Sequence, residues 1–153
     1  AALLAYDQLL KLITPEKPAE PNAEQQPPGL YSYRAGLQVA RLHRKAKRTK
    51  EADVAYDELV KRFPKPQRLD QLLDEWALLN YDAQQFERAD EIFKRLIAEA
   101  PNSELVDNAK LSLAESDLIA DRLDVARKAF EDLLASDKSD AEVKERSLYQ
   151  LIV

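Results

Sequence analysis

From Leu30 onward the apolar residues recur three and four positions apart, and the polar residues between them return to the opposite side of a 3.6-residue turn. No stretch alternates Val, Ile or Thr with polar residues at period two, so no strand is expected. The pattern predicts helices near 30–47, 51–62, 67–82, 86–99, 104–120, 123–136 and 140–153. Pro64 and Pro101 each follow an apolar stretch and cannot continue a helix. Asn102 and Ser103 stand where a helix N-cap would be, with Val106 in place of the acidic residue of a capping box.

The helices repeat in pairs. In the central stretch beginning at Phe86, a small residue (Ala89) is followed four positions later by an aromatic (Phe93). A branched apolar pair (Leu96 and Ile97) and Pro101 come next. The same spine runs upstream through Ala52, Tyr56, Leu59, Val60 and Pro64, and downstream through Ala126, Phe130, Leu133 and Leu134, with Lys138 in the proline's place. The alanines and the aromatics each recur at a constant step of 37 residues. Such self-similarity marks a stacked array, because one helix pair cannot bury its apolar face alone. Ala89 is expected where two helices cross, its small side chain letting the axes approach.

Residues 1–13 resemble the second helix of a preceding repeat: Ala2, Tyr6, Leu9 and Leu10 match Ala52, Tyr56, Leu59 and Val60. Between them and the array, residues 14–29 hold five of the chain's eight prolines, which predicts an extended, mobile linker. The chain thus reads as starting within a repeat, and with no methionine it reads as a piece of a longer protein. The domain reading is a half-repeat over 1–13, a linker over 14–29 and an array over 30–153. The array holds three full repeats, about 33–66, 70–103 and 107–140, and the first helix of a fourth.

On these residues the chain resembles the tetratricopeptide repeat family. Repeat two carries Leu73, Trp76, Ala77, Ala89, Phe93, Leu96 and Pro101 at the family's large, small, aromatic and proline positions. Repeat one matches through Val39, Ala40, Ala52, Tyr56, Leu59 and Pro64, and repeat three through Leu113, Ala114, Ala126, Phe130 and Leu133. Three features depart from the pattern: alanine stands at the usual glycine of the eighth position, Gly36 and Lys110 occupy the fourth position of repeats one and three, and the period exceeds the family's 34 residues by three. The long period resembles that of periplasmic outer-membrane assembly and Tol-coordinator members, which favours a periplasmic or cell-envelope location over a cytoplasmic one. The resemblance implies an all-α, right-handed superhelical α-solenoid of antiparallel helix pairs.

It also implies a binding surface. In the family, the second, fifth, ninth and twelfth positions of each first helix line a concave groove. Here they are Arg34, Leu37, Arg41 and Arg44; then Gln71, Asp74, Leu78 and Tyr81; then Asn108, Leu111, Glu115 and Leu118. The polar anchors with which some members clamp a C-terminal carboxylate are replaced by Leu37, Glu75 and Ser112. The stripe is cationic at one end and apolar toward the middle and the other end. The expected partner is a protein segment with apolar anchors and acidic residues that meet Arg41 and Arg44.

Charge sharpens that picture. The net charge of −5 divides unevenly: residues 1–69 carry 13 Lys and Arg against 8 Asp and Glu, whereas residues 70–153 carry 10 against 20. The run Arg41 to Lys50 packs six cations into ten residues, yet no aromatic is interleaved and the whole chain is acidic, which argues against nucleic acid. No stretch of 18 uncharged apolar residues occurs, so no direct membrane insertion is expected.

Catalytic chemistry finds little to work with. There is no cysteine, only two glycines and a single histidine, His43, whose neighbours in sequence are cations that would repel a metal ion. Adjacent acidic pairs such as Asp90 and Glu91 point in different directions on a helix. Trp76, at the seventh repeat position, reads as core. The sequence therefore predicts a non-catalytic protein-interaction scaffold with no cofactor. The alternative is a recognition module of a larger enzyme or regulator whose active domain lies outside this chain. Self-association through open repeat ends is a further possibility.

Overall fold

The computed structural model describes residues 30–152, with side chains from Tyr33 onward. The expected helix over 1–13 and mobile linker over 14–29 lie outside the described residues. Within them the chain is all-α, with seven helices and no strand: α1 Leu30–Lys45, α2 Thr49–Arg62, α3 Leu69–Asp82, α4 Phe86–Glu99, α5 Val106–Ile119, α6 Leu123–Ala135 and α7 Ala141–Ile152. Each begins and ends within two residues of the span that the apolar period predicts. The chain divides after Gln67 into two compact units.

In unit 1, α1 and α2 pack as a hairpin. Val39 and Ala40 of α1 are buried with Ala52, Tyr56, Leu59 and Val60 of α2, so the small and aromatic spine residues form the seam. Tyr33 and Phe63 meet edge to face at 5.3 Å where the two helix ends come together. Gly36 also has a reason here. A Cβ at this position would fall 2.5 Å from the Leu59 Cδ1 methyl, so the absent side chain makes room for a buried leucine of the facing helix.

In unit 2, each of α3 to α7 packs on its sequence neighbour, and α5 also touches α7. The core of the first hairpin contains Leu72, Leu73, Trp76 and Ala77 of α3 and Ala89, Ile92, Phe93 and Leu96 of α4. In the next layer Leu111 and Ala114 of α5 join Ala126, Phe130 and Leu133 of α6, and Val143 of α7 closes over them. A face that one hairpin leaves bare is thus covered by the first helix of the following hairpin.

Two devices recur that no spine residue announces. The turns inside the hairpins place Lys47, Gln84 and Asp121 in the left-handed region, at φ 57°, 59° and 59°. In each, the next residue's N–H donates back to the sixth carbonyl: Arg48 to His43 at 3.0 Å, Gln85 to Asn80 at 2.9 Å and Arg122 to Asp117 at 2.8 Å. That is the Schellman arrangement, built three times without glycine.

The second device joins the end of a hairpin to its own beginning. Ser103 Oγ donates to Asp70 at 2.7 Å, and in the next hairpin Ser139 and Ser136 donate to Asp107 at 2.8 and 3.3 Å. Ser103 is therefore not the N-cap of α5. The helix starts at Val106 after Leu105, with no side-chain cap, and the Ser103 hydroxyl accepts the Leu105 N–H at 3.2 Å within the preceding turn. Packing of the hairpin end against Asp70 claims that hydroxyl instead.

Candidate functional site

The groove positions expected from the sequence fall differently in the two units. On α1 of unit 1, Arg34 and Arg41 are exposed while Leu37 and Arg44 are half-buried. Arg44 and Lys45 stand in the last turn of α1, where cations favour the negative end of the helix dipole. The remaining cations of the run, from Lys47 to Lys50, follow the chain through the left-handed turn into α2, so the run does not make one basic face.

On α3 of unit 2, Gln71, Asp74, Leu78 and Tyr81 are all half-buried, as are Asn108, Glu115 and Leu118 on α5. Leu111 is a correction. Only 1% of it is exposed, because α7 lies over it and Val143 packs into the same cluster. The fifth position of α5 is therefore core, and it offers a partner nothing. Leu118 also rests against that cluster but keeps part of its surface.

A polar ladder crosses three first helices. Tyr81 on α3 donates its hydroxyl to Glu115 Oε2 on α5 at 3.4 Å, long for such a bond, and Arg146 on α7 meets Glu115 Oε1 at 2.7 Å. The Glu115 side chain is only 12% exposed, whereas that of Arg146 is 47% exposed. Burial, then the charge and hydrogen bond of Glu115, push the Tyr81 hydroxyl up to about 12, so it stays a donor across the physiological range. Phe86, at the start of α4, braces the same ring edge to face at 5.3 Å. These links join Tyr81 of α3, Glu115 of α5 and Arg146 of α7.

The sequence model of the tetratricopeptide repeat family matches residues 34–66 and 71–103. Those two stretches are similar to tetratricopeptide repeats. They comprise α1–α2 and α3–α4 with the turns that follow. The pair α5–α6 lies outside the matched stretches, though it carries the same alanine and aromatic spine, and Ala126 and Phe130 are buried as their counterparts are. No curated protein matches the chain. Tetratricopeptide repeats in general mediate protein–protein contacts and are typically non-enzymatic scaffolds.

Within the second matched stretch Trp76 is core. It is 2% exposed, and the Arg88 guanidinium lies 4.9 Å from its ring centre, a cation–π contact. Among the described residues no group of three or more His, Asp or Glu could hold a metal ion, and no helix is long and apolar enough to cross a membrane.

Two residues of the surface were not singled out from the sequence. Arg146 falls outside the groove stripe, and its pairing with Glu115 depends on how α7 lies against α5. Ile119, 56% exposed, stands directly after the last stripe residue of α5. Its apolar bulk beside Leu118 at the helix end was the available signal.

Proposed function

We propose that this protein is a non-catalytic scaffold that holds a segment of a partner protein against the first helices of its repeats. The ladder from Tyr81 through Glu115 to Arg146 carries the reading, since it links α3, α5 and α7 by their side chains. Leu78, Tyr81 and Leu118 supply apolar anchors there. Unit 1, taken by itself, offers Arg34, Arg41 and Arg44, which suit acidic residues of a partner. Gln71, Asp74 and Asn108 contribute polar rim contacts. Each apolar anchor contributes about 1–2 kcal/mol, the range of an ordinary interface contact rather than a dominant one.

The test uses a partner recovered by affinity capture and then measured by titration calorimetry against purified variants. Tyr81→Ala and Arg44→Glu should each weaken binding by about 1 kcal/mol or more, roughly fivefold, with helix content unchanged. If neither does so, the first-helix face is not the binding surface.

A further inference from the structure

We infer that the first-helix face of unit 2 selects a segment bearing lysine or arginine beside apolar side chains, and that Glu115 is the residue that sets this preference. The inference rests on the proposed scaffold function and names the partner chemistry of one of its surfaces. It differs in sign from unit 1, whose stripe is cationic.

The charged residues at the groove positions given for α3 and α5, Asp74 and Glu115, are of one sign, and Arg146 of α7 pairs with the second of them. Leu111 is buried and offers no apolar contact beside Glu115, whose carboxylate accepts the Tyr81 hydroxyl. Leu78, Leu118 and the exposed Ile119 supply the neighbouring apolar contacts.

Glu115 also has acceptor capacity to spare. An ionised carboxylate offers about four lone-pair positions. Arg146 occupies one at 2.7 Å, and the Tyr81 hydroxyl takes another at 3.4 Å, a distance at which it competes weakly. An ammonium or guanidinium brought by a partner would find a partly desolvated carboxylate, where a charge-assisted bond is stronger than at an open surface. Arg146 is not an obstacle, since its side chain is half exposed and its ion pair lies on the other carboxylate oxygen. The excess of 20 acidic over 10 basic residues between 70 and 153 adds long-range attraction for a cationic segment.

The experiment displays a library of random twelve-residue peptides to the full chain and, in parallel, to Glu115→Gln and Arg41→Glu. Glutamine keeps the size of the side chain and an acceptor for Arg146, so folding is preserved; melting curves verify it, and Glu115→Asp serves as a charge-retaining control. The expected result is a class of peptides pairing Lys or Arg with Leu, Ile or an aromatic. Their affinity should fall at least tenfold for Glu115→Gln, persist for Arg41→Glu and return in part with Glu115→Asp. Replacing the peptide's lysine by norleucine should remove the difference between wild type and Glu115→Gln, a coupling that a merely structural role for Glu115 would not produce. Recovery of acidic peptides alone, lost with Arg41→Glu, would overturn the inference while leaving the scaffold reading standing. Basic peptides that bind Glu115→Gln as well as wild type would also overturn it. Light scattering that shows a dimer dissolved by Glu115→Gln would overturn it too, because a second copy would then be the occupant. If no peptide is recovered, both the inference and the scaffold reading fail.

Discussion

Replacing Gly36 by alanine sets two opposed effects against each other, and the geometry decides between them. In the middle of α1, alanine is favoured over glycine by about 1 kcal/mol through backbone entropy alone. The added methyl, however, would stand 2.5 Å from Leu59 Cδ1, and Leu59 is itself buried in the seam with α2. Overpacking of this kind costs about 1–3 kcal/mol. The colliding atom is the end of a side chain that can rotate, but that side chain is buried, which places the cost near the middle of that range, about 2 kcal/mol, so Gly36→Ala should destabilise unit 1 by about 1 kcal/mol net. In a Leu59→Ala background, itself about 2–5 kcal/mol less stable, the collision is gone and the same substitution should stabilise by about 1 kcal/mol. The sign of the effect therefore reverses, a coupling of about 2 kcal/mol. Urea unfolding followed by circular dichroism gives the four free energies, and hydrogen exchange on the amides of α1 and α2 assigns them to unit 1. The sole tryptophan, Trp76, lies in unit 2 and would report the other unit. A Gly36→Ala effect of the same sign in both backgrounds would refute the reasoning.

Three further expectations concern unit 2. Leu111→Ala should cost about 2–5 kcal/mol because α7 seals the site, whereas Leu118→Ala, half exposed, should cost markedly less; thermal melts of the two variants compare them directly. Burial raises the Asp107 carboxyl, but its bonds from Lys110, Ser139 and Ser136 outweigh this and hold it below its ordinary value of 3.8. The ionised form therefore stabilises the fold above that value, and this contribution is lost as pH falls through the lowered folded value. Asp107→Asn should lower stability at pH 7 and flatten the acid limb of a stability-against-pH curve, and an unchanged limb would refute the assignment. Gln84→Gly removes the strain of a left-handed non-glycine residue, about 1–2 kcal/mol, against a glycine entropy cost of about 0.5–1, so denaturation midpoints should rise slightly.

What could be read without coordinates was whatever local periodicity encodes. Ala52, Ala89 and Ala126 with Tyr56, Phe93 and Phe130 recur at one step, and the crossing of two helices depends on side chains four and seven apart. Helix positions, pairing and the core role of Trp76 therefore follow from the chain itself. Matters settled by which helix lies over which were not legible. Leu111 and Leu118 occupy equivalent-looking stripe positions, and only the placement of α7 makes one core and leaves the other partly open. Ser103 looks like a cap until the end of α4 turns it toward Asp70, and Gly36 looks like a gap in the pattern until Leu59 fills it. The left-handed turns at Lys47, Gln84 and Asp121 keep the 37-residue step, yet their residue types differ, because the Schellman bonds impose the backbone without requiring glycine. Glu115 and Arg146 are 31 residues apart and on different helices; their pairing exists only because stacking brings α5 and α7 side by side. Periodicity within a helix determines which residues turn inward, but the depth to which each is covered depends on the neighbouring helix, and that is a property of the stack.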